Sequence, residues 1–255
     1  MKKISILLTF ALAACGAGTS DGGNSGTGAV TAQAGAVSGV AVDSQNRPLA
    51  GAEITVCSSV FYNSCINGAT RTDGSYSLRL TSNDVWLASG SITKSYNGAT
   101  YCLPLAVDNS HSFSSTDATI RNFSWRLSGV VPGQMDNHSA GSYFGASLNS
   151  VFDMSLNRNQ VRVNFVPNGP LIDGSAGSSF SAIAGDWVSN SIGNIPIGTY
   201  TVRAEYLQPG GGVIPLRVSL TSTVTNLSAS VTVQFPPDPG SSCVIGPEAS
   251  LYIAP

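Results

Sequence analysis

The stretch Gly74–Leu80 reads GSYSLRL, and Gly198–Ala204 reads GTYTVRA. Each runs glycine, hydroxyl, tyrosine, hydroxyl, aliphatic, arginine, aliphatic. In the first copy Tyr76, Leu78 and Leu80 fall on one side of an extended chain, with Ser75, Ser77 and Arg79 on the other. A period of two marks a half-buried antiparallel strand. Glycine is expected to open both strands after a turn, at a positive φ that is cheap only for glycine. Tyrosine would then plug the core end while its hydroxyl reaches outward to a partner. The match, outward arginine included, predicts two similar β-modules, each with a tyrosine-led strand.

The same period recurs along the chain. Val40 with Val42, Ala52 with Ile54 and Val56, and Phe123 with Trp125 and Leu127 belong to the first module. After a loop of weak pattern over residues 130–158 come Val161, Val163 and Phe165, then Tyr200, Val202, Ala204 and Tyr206. Leu216, Val218 and Leu220, then Val231, Val233 and Phe235, complete the second module. Short strands punctuated by glycine and proline turns, with no stretch of helical period, predict an all-β chain of two sandwiches.

Lys2 and Lys3 precede an apolar run, Ile4–Ala11, that is too short to span a bilayer as a helix. It reads as an export leader. Leu12-Ala13-Ala14-Cys15 resembles the lipobox of bacterial lipoproteins. That resemblance implies cleavage before Cys15 and acylation at Cys15. Two acyl chains already hold a protein on a membrane. Residues 16–36 are mostly Gly, Ser, Thr and Ala and read as a flexible tether. The expected plan is leader 1–14, tether 15–36, first sandwich 37–129, second sandwich 130–238 and tail 239–255.

Charged residues make up only 10% of the chain. Losing Lys2 and Lys3 from 12 basic residues leaves 10 against 14 acidic ones, a net charge of −4. No clustered basic footprint for nucleic acid exists, so that partner is excluded. Of five cysteines, Cys15 is assigned to lipid, and Cys57, Cys65, Cys102 and Cys243 remain in a compartment where disulfides persist. Cys57 faces away from Ile54 and Val56, and Cys65 follows a short loop, which predicts a Cys57–Cys65 staple. Cys102 with Cys243 would then tie the tail to the first module.

The run VSGVAVDSQNRPLAGAEITV from Val37 and TRTDGSYSLRL from Thr70 resemble the carboxypeptidase regulatory-like domain. Gly39–Asp43, Pro48–Ala52 and Thr72–Tyr76 carry the likeness, and the Asp73-Gly74 step is shorter than the usual spacing. Ile195–Tyr200 is more weakly similar to the collagen-adhesin B-type repeat. Both resemblances imply tandem prealbumin-like or immunoglobulin-like sandwiches, a fold shared with some starch-binding domains. They imply no peptidase: a zinc carboxypeptidase needs a His-x-x-Glu pair and a distant His, whereas Ser-Phe-Ser follows His111 and Ser-Ala-Gly follows His138.

Asp108 near His111 and Asp136 near His138 sit in polar, turn-like tracts, with no Gly-x-Ser-x-Gly elbow anywhere. Asp173–Gly177 lacks the alternating ligands of a calcium loop and reads as a tight turn. Lys94, the one lysine after the leader, reads as a surface residue rather than half of an isopeptide bond. No catalytic set, metal site or cofactor is expected. The expected function is a lipid-anchored, non-catalytic envelope protein presenting two sandwiches for structural or adhesive contact. Its partners would be the membrane, through the lipid, and an envelope protein or extracellular glycan, with the outer membrane or cell surface as location. The alternative is carbohydrate binding by exposed aromatics, for which Trp86, Tyr96, Tyr101, Tyr143 and Trp187 lie off the clear core phases.

Overall fold

A computed structural model describes residues 30–81, 83–131, 143–187, 190–220, 226–237, 243 and 246–255. The expected leader, Cys15, most of the tether and His138 lie outside the described residues. The described chain is all-β apart from two single-turn 3-10 helices.

The first module holds nine strands. They are β1 (Ala36–Val42), β2 (Glu53–Ser58), β3 (Cys65–Ala69), β4 (Ser75–Arg79) and β5 (Val85–Tyr96), then β6 (Ala99–Val107), β7 (Phe113–Ser114), β8 (Thr119–Ile120) and β9 (Phe123–Trp125). Their order is β3-β2-β5-β6-β9-β1-β4, with β7 beside β5 and β8 beside β1. The sheet curls until its ends meet, and the side chain of Leu78 on β4 covers Gly68 on β3. Ile54, Val56, Trp86, Phe123 and Trp125 fill the interior.

The inner face of β1 differs from expectation. Val37 and Ala41 are buried, whereas Val40 and Val42 are only half-buried. Gly39, between the two buried residues, sets this phase. A Cβ there would lie 1.8 Å from the Arg121 carbonyl oxygen and 2.9 Å from the Tyr76 ring. The missing side chain is filled by Tyr76, whose hydroxyl donates to that carbonyl at 2.6 Å.

The second module comprises β10 (Ala146–Phe152), β11 (Val161–Pro167), β12 (Phe180–Ile183), β13 (Ser191–Ile195) and β14 (Thr199–Leu207), then β15 (Val213–Pro215), β16 (Arg217–Ser219), β17 (Val231–Gln234) and β18 (Glu248–Ala254). One sheet has the order β13-β10-β18-β16, and the other β12-β11-β14-β15 with β17 also on β14. Their alternating faces, including Leu148, Phe165, Val202, Val233 and Ile253, share one core. Two segments depart from the sequence reading. β10 lies in the stretch read as loop, and β18 lies in the stretch read as tail, where it runs parallel to β10 from Ser147↔Glu248 to Phe152↔Ile253. Leu251 and Ile253 are fully buried, so residues 248–254 are sheet interior rather than tail.

The two modules share one wiring. In each, the first strand pairs antiparallel with the fourth and parallel with the last: β1 with β4 and β9, β10 with β13 and β18. The second strand pairs with the third and fifth: β2 with β3 and β5, β11 with β12 and β14. This corrects the reading of the repeated heptapeptide. GSYSLRL forms β4, the fourth strand of its module, but GTYTVRA forms β14, the fifth. The modules are alike; the two heptapeptides are not equivalent parts of them. Gly74 does take a positive φ of 76°, whereas Gly198 does not, and a Cβ at Gly198 would meet Leu171 at 2.8 Å. One glycine serves a turn and the other serves packing.

Candidate functional site

The aromatic residues expected to form a sugar platform do other work. Trp86 is fully buried in the first core and Tyr101 is 4% exposed, so neither offers a ring face to a ligand. The platform reading of these two is corrected: Trp86 points inward because it follows the outward Val85 on β5 and alternates with Leu87. Tyr96 and Tyr101 do come together, edge to face with centroids 6.3 Å apart. Trp187, half-buried, packs edge-on against Tyr143 at 5.8 Å with planes 67° apart, not as a coplanar surface.

Tyr96 and Tyr101 meet at the seam between the modules. The Tyr96 hydroxyl donates to the Pro170 carbonyl at 2.8 Å, and the Tyr101 hydroxyl to the Phe235 carbonyl at 2.8 Å. Beside them the Asn97 amide donates to the Thr199 hydroxyl at 2.9 Å. From the β1–β2 turn, Ser44 donates to Asp173 at 2.7 Å. Partial burial pushes the Asp173 carboxyl up, but hydrogen bonds from Ser175 and Ser44 outweigh it and hold it below the usual carboxylate range. A Cys102–Cys243 disulfide closes the same seam. Among the described residues, these four side-chain hydrogen bonds and one covalent bond hold the β5–β6 hairpin and the β1–β2 turn against the second module.

Two clefts lie along the seam. One, of about 170 Å³, is lined by Tyr96, Asn97, Tyr101, Phe235 and Pro236. It is smaller than the usual small-molecule site. The other, of about 380 Å³, lies between Ser44, Gln45, Trp125, Arg126 and Asp173. Asp173 accepts from both the backbone N–H and the hydroxyl of Ser175, and the Leu171 N–H bonds to the Ser175 carbonyl, so the turn spans residues 171–175 and begins two residues before the Asp173–Gly177 stretch read as a turn. Lys94 is half-buried rather than a free surface lysine, its ammonium 5.1 Å from the centre of the Trp125 ring. His111 is exposed in a loop, its backbone N–H bonded to Asn109 and its carbonyl to Arg121. Among the described residues, no three His, Cys, Asp or Glu side chains converge. No described helix is long and apolar enough to cross a membrane.

Sequence reasoning passed over one surface. The β2–β3 hairpin is stapled by the Cys57–Cys65 disulfide between directly opposed residues, the pairing expected. Its turn carries Val60, Phe61 and Tyr62 into solvent. VFY inside a polar SS…NS loop was the signal that could have found it.

No family model matches this chain, and no curated protein sequence matches it. Solved structures overlap it loosely. The TIE protein of Bacillus anthracis is 11% identical over 86% of this chain, with a TM-score of 0.31. This chain spans only 34% of that protein's length. A streptococcal ancillary pilin is 11% identical over 86% of this chain, with a TM-score of 0.25 and 69% of its own length covered. The shaft pilin SpaA of Lactobacillus rhamnosus GG is 12% identical over 89%, with a TM-score of 0.24 and 98% of its length covered. Overlaps this loose carry no argument about what this chain binds or does.

Proposed function

We propose that this chain is a lipid-anchored, non-catalytic lipoprotein of the cell envelope. In this reading the leader is removed before Cys15 and the thiol of Cys15 carries the acyl group. The two modules then form a stalk or adhesive rod that meets an envelope or extracellular macromolecule at its far end. The observation that supports this is the direction of the chain. β1 begins at the end of the first module remote from the seam, and β9 leads from the seam end toward the second module. Tyr96, Tyr101 and the Cys102–Cys243 bond keep the second module pointed away from the N-terminal exit. A spacer needs this arrangement, whereas an enzyme needs convergent reactive groups. Replacing Cys15→Ser in the natural host is expected to move the protein from the membrane fraction to the soluble fraction. A variant that stays with the membrane would overturn the anchor.

A further inference from the structure

The stapled turn between β2 and β3 is apolar, rigid and exposed. Val60 is 66% exposed, Phe61 61% and Tyr62 95%. Beneath them on the outer face of β5 lie exposed Val85 and Leu87, the latter directly opposite Cys57. The turn is held in shape from below. Ser58 accepts the backbone N–H groups of Val60 and Phe61 and itself donates to Asp84. Ser59 donates its backbone N–H to Val85. Asn63 takes a positive φ of 56° to close the loop, and the disulfide fixes its base. From Ser58 to Ile66 there is no Asp, Glu, Lys or Arg.

Its position says what it meets. Asp84, at the root of the turn, gives its carbonyl to the Ser115 N–H, and the Ser115 carbonyl accepts the N–H of Gly35. Gly35 is where the N-terminal segment enters the fold, ahead of β1. Two hydrogen bonds thus separate the chain's entry point from the root of the apolar turn, both at the end remote from the second module. Cys15 and Gly35 lie twenty residue steps apart, at most about 70 Å of chain.

We propose that the Val60-Phe61-Tyr62 turn docks into the interfacial layer of the bilayer that carries the Cys15 anchor, and so sets the rod upright on it. This rests on the anchored reading of Cys15. Aromatic rings with a polar tip settle at the level of lipid headgroups, and an apolar wedge enters by about 5–10 Å. Three side chains give weak insertion alone, but a tether makes insertion intramolecular and raises its effective concentration. Lacking basic residues, the turn needs no anionic lipid.

The test separates the turn from the anchor. In the chain from Cys15 onward, which contains every described residue, the two disulfides leave Cys15 as the free thiol. That thiol is coupled to a maleimide lipid in phosphatidylcholine vesicles with brominated acyl chains. Indole fluorescence is then compared for Phe61→Trp and for Met154→Trp, an exposed position on the second module. The expected result is at least twofold bromine quenching of the added indole in Phe61→Trp and none in Met154→Trp. Equal, slight quenching in both overturns the proposal. So does shielding of the Phe61→Trp indole that follows protein density rather than bromine, which would make the occupant a second copy. Palmitate labelling of the natural chain tests acylation separately. A negative there removes the natural anchor without altering the vesicle result.

Discussion

Gly39 and Tyr76 form the tightest fit in the first module. A methyl group at Gly39 would overlap the Arg121 backbone, which cannot swing aside as a flexible side chain could. Gly39→Ala is therefore expected to cost about 3 kcal/mol. In a module of about 90 residues that is a fall of about 12–24 °C in Tm, measurable by differential scanning calorimetry. The tyrosines supply a second expectation. Burial pushes the Tyr76 phenol far above its ordinary value and the Tyr200 phenol up to about 12. Both hydroxyls are held by backbone carbonyls, of Arg121 and Pro196. A phenol whose folded pKa exceeds its unfolded value of about 10 stabilises the fold fully below pH 10. That stability is lost as pH rises from 10 toward 12. The urea midpoint is expected to stay level to pH 9.5 and fall beyond it, and Tyr76→Phe with Tyr200→Phe to flatten that fall. A midpoint unchanged at pH 11 contradicts this. The inward tyrosines were legible in the sequence, since alternation places them. The phase of β1 was not, because the residue that sets it has no side chain to read.

Elements were legible where alternating apolar residues are large, as in Val161-x-Val163-x-Phe165 of β11. β10 was missed because Ala146, Ser147, Leu148 and Ser150 are all buried, which blurs the contrast between its faces. β18 was missed because Pro236–Pro239 looks like an ending, although Ala249-x-Leu251-x-Ile253 follows with strand period. Local pattern also could not tell the fourth strand from the fifth, since pairing is decided by residues distant in the chain. The repeated heptapeptide is one strand-opening solution used at two places in the wiring. The placement of β18 carries its own expectation. Leu251→Ala opens the second core and is expected to cost about 2–5 kcal/mol, whereas Ser250→Ala, at an exposed position of the same strand, leaves chemical denaturation unchanged. Equal effects would mean residues 248–254 are not sheet interior.

At the scale of the molecule, the seam hydrogen bonds of Ser44, Tyr96, Asn97 and Tyr101 and the Cys102–Cys243 bond tie the nine-stranded sheet to the strands that follow it. The entry point and the apolar turn lie at one end, and the second module forms the other. The platform residues failed at this scale: Tyr96 and Tyr101 look like spare aromatics in sequence because their partners, Pro170 and Phe235, belong to the other module. The most direct test of the account is the intact mass of the natural protein extracted from envelope. The expected mass is that of a chain beginning at Cys15, heavier by a lipid modification on that residue and lighter by four hydrogens for two disulfides. A mass that retains residues 1–14, or a Cys15 carrying no lipid, contradicts it.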